Sequence, residues 1–313
     1  VMEKQIECAV SHGVNVFIYD WYWYDNRPFL ENCLNDGFLK AKNNDKMKFC
    51  LMWANHNATH LWDKRNSDNY LDTVIWNGVV TPEIFSDICD RTIEKYFLKE
   101  NYYCIDGCPV YMIFDIDNFI RSFGTSDECK KAIDEFRRKT IDAGFKGLHL
   151  QFVHWRDRVF NWLKDNDSQK GVISAQMYEF LGASSVTNYS WGGITDFDGD
   201  FNDVAEGYVT AYNTVAPTLT VPYYPNLSVG WDDNVRFHKF RPGVVFNNTP
   251  ENFKNACKKI KELADEGMKK GVLKAPFITV NSWNEWTETS YLEPDDLYGY
   301  GYLEAIKDVF CGD

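Results

Sequence analysis

The sequence lacks several features that would place it in a common class of protein. Lysine and arginine number only 33 against 46 acidic residues, which gives a formal net charge of −13. Proteins that bind nucleic acid need a basic surface, so we expect no nucleic-acid partner. No apolar run approaches the ~18 residues that a membrane-spanning helix needs, and we expect no such segment. The N-terminal residues show no signal-peptide pattern and instead predict a helix from the start.

Motifs for disulfides, metals and nucleotides are also missing. The nine cysteines are scattered without a Cys-x-x-Cys pair, Cys104 and Cys108 being the nearest candidates for a single bridge, and cysteine usage leaves the compartment open. His56 and His60 lie four residues apart but lack the glutamate of a zinc-protease helix. No P-loop, Gly-x-Ser-x-Gly elbow or dinucleotide fingerprint occurs. We therefore expect neither a metal nor a cofactor.

Aromatic residues, by contrast, are abundant. The chain contains 11 Trp, 18 Tyr and 22 Phe, and many of them stand beside Asn, Asp, His or Gly. Tyr and Trp combine an apolar face with a polar edge. Sugar rings offer a matching surface, with apolar C–H faces and hydroxyl edges, so the composition favours a glycan ligand.

Strand and helix patterns alternate along the whole chain, which predicts one α/β domain over residues 1–313. Near-continuous apolar runs are typical of parallel strands buried on both faces. Seven such strands are predicted, at 14–19, 48–53, 109–114, 147–153, 184–189, 219–224 and 276–281. Helices are predicted from Pro82 and from Pro250, each after a threonine N-cap, and over 127–143 with Ile141 facing inward. The expected fold is a (β/α)8 TIM barrel whose first strand lies upstream of Val1 or is re-formed by an unrecognised segment. An open doubly wound sheet is the alternative.

The ends of the predicted strands are polar and aromatic. Active sites of barrels lie where the carboxyl ends of the strands meet, so we expect a lined groove there. The predicted substrate-binding residues on this rim are Asp20, Trp21, Tyr22, Trp53, Asn55, His56, Asp115, Tyr189, Trp191, Trp283, Asn284 and Trp286.

The last predicted strand leads into two acids three residues apart, Glu285 and Glu288. In a helical turn their Cβ atoms would lie ~5–6 Å apart, and in extended chain nearly twice as far. Glycosidic bonds are cleaved by two carboxyl groups, whose separation determines the stereochemical outcome. Two close carboxylates cannot both ionise easily, and the adjacent Trp283 and Trp286 would lower the local polarity. We predict that Glu285 and Glu288 are the catalytic pair.

The sequence resembles the glycoside hydrolase family 99-like proteins, also called WbsX-like. The matching segments are GVNVFIYDWYWY (13–24), FCLMWANHN (49–57), DGCPVYMIF (106–114) and NSWNEWTETSYLEPDDLYGYGY (281–302), and the segments around NYSW (188–191) and GWD (230–232) also fit. The resemblance implies a (β/α)8 barrel without an obligatory metal. It also implies that Glu285 acts as the base on the sugar 2-hydroxyl and that Glu288 is the acid/base at the glycosidic oxygen. Family 99 usually has His-Glu-Gly after the motif tryptophan, where this chain has Thr287-Glu288-Thr289.

The resulting hypothesis is a retaining glycoside hydrolase that acts on a polysaccharide or complex glycan as a monomer. We expect a secreted or periplasmic location, with a cytoplasmic location as the alternative. Two alternatives remain open at this point. One is a glycosyltransferase of polysaccharide biosynthesis, which would need a nucleotide-sugar site. The other is a glycan-binding protein without catalytic activity.

Overall fold

The computed structural model describes residues 1–59 and 73–312 and shows an α/β fold built around a curved parallel sheet. The helices are α1 (Met2–Ser11), α2 (Pro82–Thr92), α3 (Ile116–Arg121), α4 (Ser126–Asp142), α5 (Ser174–Leu181), α6 (Phe201–Val215), α7 (Pro250–Lys269) and α8 (Gly301–Phe310). The strands are β1 (Val16–Tyr24), β2 (Arg27–Phe29), β3 (Lys48–Trp53), β4 (Ala58–Thr59), β5 (Val74–Trp76), β6 (Cys104–Ile105), β7 (Cys108–Ile113), β8 (His149–Val153), β9 (Ser185–Thr187), β10 (Gly199–Asp200), β11 (Asn226–Ser228), β12 (Val245–Phe246), β13 (Thr279–Asn281), β14 (Asn284–Glu285) and β15 (Ser290–Tyr291).

The central strands β1, β3, β7, β8 and β9 pair in this order, and every pair is parallel. Helices pack on the outer face of the sheet and side chains fill its inner face, so the strands are buried on both sides. This double burial explains why their apolar runs are nearly continuous. The strands predicted at 48–53, 109–114 and 147–153 are confirmed to within two residues.

The parallel order continues beyond β9 through a weaker connection. The amide of Val186 donates to the Pro222 carbonyl at 2.9 Å, and the amide of Tyr224 donates to the Val186 carbonyl at 2.9 Å. The same segment then forms β11, which pairs in parallel with β13. The predicted strand at 219–224 is thus displaced towards 226–228, because Pro222 and Pro225 have no amide hydrogen with which to extend a ladder.

The predicted closed barrel is not found in the described part of the chain. Between β13 and β1 there is no strand pairing, and side chains bridge the gap instead, with the Phe17 and Trp283 rings 5.1 Å apart. Seven parallel segments form the curved wall, and no described segment supplies the eighth. The expected α/β fold with a parallel sheet is thus confirmed, whereas closure of that sheet into a (β/α)8 barrel is not found among the described residues.

The helix signals in the sequence have the expected structural role. Thr81 accepts a hydrogen bond from the Ile84 amide at the start of α2, and Thr249 accepts one from the Asn252 amide at the start of α7. Helix α4 matches its prediction within one residue at each end. The prediction that Ile141 faces inward is wrong: it is 52% exposed, because the packed face of α4 continues from Phe136 to the fully buried Thr140 instead.

Candidate active site

The two predicted catalytic acids lie on one tight turn. β14 pairs antiparallel with β15, and the residues between them, Trp286–Glu288, form a single 3₁₀ turn. Thr289 adopts a left-handed conformation (φ 53°) that reverses the chain into β15. In a 3₁₀ turn, side chains three residues apart eclipse each other. Glu285 and Glu288 consequently project to the same side, which supports the helical-turn geometry over the extended one.

One arginine contacts both acids. Arg236 Nη2 lies 2.8 Å from Glu285 Oε1, and Arg236 Nη1 lies 2.9 Å from Glu288 Oε1. The same guanidinium donates through Nε and Nη2 to the Thr287 hydroxyl, at 2.9 and 2.7 Å, and this hydroxyl donates to Glu285 Oε1 at 2.9 Å. The two carboxylates are therefore within reach of one planar group, and one oxygen of each is fixed by it.

Glu288 is buried, whereas the side chain of Glu285 is 34% exposed. Burial raises the pKa of Glu288 to about 7, and the charge of Glu285 adds to this effect although Arg236 opposes it. A carboxyl group with this pKa still carries its proton in a large fraction of molecules near neutral pH. Glu288 thus has the environment of a general acid.

A third carboxyl group, that of Asp20, reaches the same region from β1. Its side chain is exposed although protein atoms crowd it closely, which is the environment of a group in a depression of the surface. This crowding and the charge of Glu285 raise the pKa of Asp20 to about 7. Asp20, Glu285 and Glu288 thus bring three carboxyl groups to one place, against the single positive charge of Arg236.

A row of half-buried rings forms one wall of this depression. The ring of Phe114 contacts those of His56, Trp155 and Tyr189 at centroid distances of 5.4, 5.1 and 5.4 Å. Tyr22 joins the row through an edge contact with His56 at 6.0 Å. At the other end, the Tyr189 hydroxyl lies 3.4 Å from Glu288 Oε2. This aromatic wall contains three predicted residues, Tyr22, His56 and Tyr189, and leads directly to the acid.

The three predicted residues that flank the acids have different environments. Trp286 is 45% exposed: it stacks on Tyr291 at 3.8 Å, and its indole N–H donates to Glu293 Oε2 at 2.6 Å, so one face of a fixed ring remains open. Asn284 is exposed on the same turn. Trp283 is half-buried against Phe17, and its indole nitrogen is buried without a hydrogen-bond partner in the described part of the chain.

Three predicted sugar platforms lie in the core instead. The Trp21 indole donates to Glu31 at 2.8 Å, Trp53 stacks on Phe85, and the Trp191 indole donates to the Asn226 carbonyl at 2.9 Å. At most 2% of the surface of each tryptophan is exposed. Successive side chains of a strand alternate between its two faces, so Trp21 faces the helices while Asp20 and Tyr22 face inward. The prediction that these tryptophans contact substrate is wrong.

Asn55 and Asp115 also have structural roles. The Asn55 side chain is buried and forms two hydrogen bonds with the backbone of Asp115, at 2.7 and 2.8 Å. The carboxylate of Asp115 caps α3 by accepting from the amides of Asp117 and Asn118. These contacts join the ends of β3 and β7, so the two residues support the aromatic wall rather than line it.

Several residues of the site were not identified from the sequence. Arg236 and Thr287 hold the acids, while Phe114 and Trp155 complete the aromatic wall. The Gly230–Asp232 segment belongs to the family resemblance and precedes Arg236 by only a few residues, which is the one signal that pointed towards this loop.

Other features named from the sequence bear little on this site. The nine cysteines are all free thiols. Within residues 1–59 and 73–312, no group of three or more metal-ligating side chains is placed to hold a metal ion. His60, half of the histidine pair considered above, lies outside the described residues. None of the described helices is both long and apolar enough to cross a membrane.

Comparisons with known proteins agree with this architecture. The chain is 22% identical over 315 residues to the protein WxcX of two Xanthomonas campestris pv. campestris strains, covering 99% of this chain but 41% of WxcX. Among solved structures, the endo-α-mannosidase of glycoside hydrolase family 99 from Bacteroides thetaiotaomicron superposes with a TM-score of 0.59 at 12% identity, covering 98% of this chain and 77% of that one. A glycoside hydrolase-like protein superposes with a TM-score of 0.59 at 15% identity, covering 99% and 85%.

These structural similarities concern the fold alone, an α/β fold with a parallel sheet like that of the two solved structures. The family model described as Glycosyltransferase WbsX matches residues 1–306. This match spans almost the entire sequence, and the chain therefore belongs to the WbsX family.

Proposed function

We propose that the chain is a retaining glycoside hydrolase that cleaves a polysaccharide or complex glycan with Glu285 and Glu288. The observation that carries the proposal is that one guanidinium, that of Arg236, binds both carboxylates at 2.8 and 2.9 Å. The pair thus lies at one place on the rim, beside an open depression and an aromatic wall. Glu285 is more exposed than Glu288, which is consistent with different roles for the two acids.

The proposed reaction has two balanced steps. Glu285 takes the proton of the sugar 2-hydroxyl, whose oxygen forms a bond to the anomeric carbon, while Glu288 gives its proton to the departing glycosidic oxygen. In the second step, water attacks the anomeric carbon and gives a proton to Glu288. The bond from the 2-oxygen to the anomeric carbon breaks, and Glu285 returns the proton to the 2-oxygen. Two inversions retain the anomeric configuration.

The surroundings support a sugar ring as the ligand. Half-buried Tyr22, His56 and Tyr189 offer aromatic faces and polar edges, and Trp286 offers an open, fixed ring. Asp20 and Asn284 are exposed groups that can bind hydroxyls. The crowding of carboxyl groups favours a neutral sugar at the cleavage point, because an anionic ring would meet like charge.

The direct test is activity of Glu285→Gln and Glu288→Gln on the best substrate from a varied polysaccharide library, with products identified by mass spectrometry. Each change should lower kcat by ~10²–10⁴-fold, the contribution of a catalytic acid or base. Glu262→Gln, on the exposed face of α7, is the matched control and should retain wild-type activity. Activity within ~10-fold of wild type in both active-site variants would refute the proposal.

The description of the family favours a second candidate, a glycosyltransferase of polysaccharide biosynthesis. A transferase needs a donor site, and a nucleotide donor would bring phosphate charge to a depression already lined by Asp20 and Glu288. Calorimetric titration with nucleoside diphosphates and nucleotide sugars separates the two candidates. Saturable binding without hydrolysis of any glycan would favour the transferase.

A further inference from the structure

The loop that carries Arg236 is fastened to the acidic turn independently of the arginine. The amide of Asp232 donates to the Glu288 carbonyl at 2.8 Å, and the Thr289 hydroxyl donates to the Asp232 carbonyl at 3.1 Å. Within the loop, the Asp232 carboxylate accepts from the Asn234 amide and side chain at 2.9 and 2.8 Å. Arg236 therefore stands on a support that substitution of its side chain would leave in place.

Arg236 binds one oxygen of the Glu285 carboxylate and one oxygen of the Glu288 carboxylate and leaves the other oxygen of each unbound. Both ion pairs use the Oε1 atoms of Glu285 and Glu288. Oε2 of Glu288 has only the long contact with the Tyr189 hydroxyl, and Oε2 of Glu285 has no partner among residues 1–59 and 73–312. A planar fork that binds two carboxylates at once fixes the rotation of both groups.

The position of Arg236 depends on the hydroxyl of Thr287. Its hydroxyl accepts hydrogen bonds from Arg236 Nε and Nη2 and donates one to Glu285 Oε1. The arginine is thus held at four points on one turn, two of them on the threonine. A side chain without a hydroxyl at position 287 would leave Nε without an acceptor.

We propose that Arg236, braced by Thr287, is the positioning residue of the acid pair: it binds one oxygen of each carboxylate and turns the other oxygen towards the sugar. This inference rests on the proposed function and adds to it a residue that acts through Glu285 and Glu288 rather than on the substrate. The positive charge of Arg236 also offsets the repulsion between the two acids, so it affects their protonation as well as their orientation.

The charged and titratable groups that face Glu288 come from four parts of the fold. Arg236 contacts Glu288 from the loop, and Glu285 adjoins it from β14. Asp20 acts on it from β1, and the hydroxyls of Tyr22 and Tyr189 lie near it. Of these, Arg236 is the group that favours the ionised form of Glu288. Its removal leaves only repulsive charges, and protonation of Glu288 becomes easier.

The experiment compares Arg236→Gln and Arg236→Lys with wild type in pH profiles of kcat and KM on the best glycan substrate. Arg236→Gln should lower kcat by ~100-fold, the cost of a misplaced catalytic group, with little change in KM. Its pH profile should move upward by about one unit or more, because an opposite charge has been lost. Arg236→Lys keeps the charge but not the fork, so kcat should fall while the profile stays near that of wild type.

Arg241→Gln is the matched control, since Arg241 lies on the same loop, pairs with Asp233 at 3.5 Å and covers the Phe237 ring. It should retain both the rate and the pH profile. If Arg236→Gln does not fold, Thr287→Val tests the same bracing and should lower kcat with KM unchanged. An unshifted pH profile in Arg236→Gln, or wild-type kcat in Thr287→Val, would overturn the inference. Full activity of Glu285→Gln and Glu288→Gln in the same assay would instead overturn the proposed function.

Discussion

A buried carboxylate behind the first strand allows a prediction of stability with a worked magnitude. Glu31 is 9% exposed and accepts hydrogen bonds from Arg91 Nη2 at 2.5 Å and from Tyr96 and Trp21 at 2.8 Å each. Burial alone would raise the pKa of Glu31, but the hydrogen bonds from Arg91, Trp21 and Tyr96 outweigh it and lower the pKa to about 2. The ionised form is therefore the one that the folded protein stabilises.

The size of this effect follows from the shift. Lowering a pKa from 4.5 to about 2 corresponds to about 3 kcal/mol, at 1.36 kcal/mol per unit. Because the folded pKa is depressed, this contribution is fully present above pH ~5 and is lost as the pH falls towards 2. Glu31→Gln should thus destabilise the protein by about 3 kcal/mol at pH 7, leaving Arg91 without its charged partner.

The assay is urea unfolding of wild type and Glu31→Gln at pH 7 and at pH 3. The difference in unfolding free energy should shrink by about 2 kcal/mol between the two, because wild type loses most of the advantage of its carboxylate. Asp36→Asn is a matched control, since the Asp36–Lys40 pair is exposed and should contribute under ~1 kcal/mol. A difference of equal size at both pH values would refute the assignment of a depressed pKa to Glu31.

Two further predictions concern the core and the depression. Trp53→Ala should lower the free energy of unfolding by about 3–5 kcal/mol, because the ring is fully buried against Phe85 and Phe119. An unchanged unfolding midpoint together with a raised KM would instead indicate that Trp53 contacts the substrate. Asp20→Asn should shift the pH profile of kcat to lower pH by a fraction of a unit, because the Asp20 charge helps to raise the pKa of Glu288. A shift to higher pH, as expected for Arg236→Gln, would contradict this prediction.

The parallel sheet could be predicted from the sequence because burial on both faces leaves a simple signature. Lys48–Trp53 reads as a continuous apolar run, and the structure has a strand there. Because both faces are buried, however, such a run does not reveal which face of the sheet each side chain occupies. In Tyr19–Tyr24, aromatic residues occupy both faces, so the sequence does not tell that Trp21 faces the helices and Tyr22 the depression.

The acid pair could be proposed from the sequence because its two members are close together in the chain and follow a predicted strand. Arg236 was not proposed, since it lies 49 residues from Glu285, at the end of a short 3₁₀ turn outside the predicted helices and strands. Closure of the sheet into a barrel could not be predicted from the sequence either. Strand-like runs indicate how many parallel segments exist. They do not indicate whether the first and last strands form hydrogen bonds with each other, since neither run carries a signal for its partner.

The central claim, that Glu285 and Glu288 act on one glycosidic linkage, is tested most directly by a crystal structure of Glu288→Gln with a bound oligosaccharide substrate. The account predicts the glycosidic oxygen within ~2.6–3.2 Å of the side chain at position 288 and the neighbouring 2-hydroxyl at the same range from Glu285. An oligosaccharide bound with its cleavable linkage away from both side chains would contradict it.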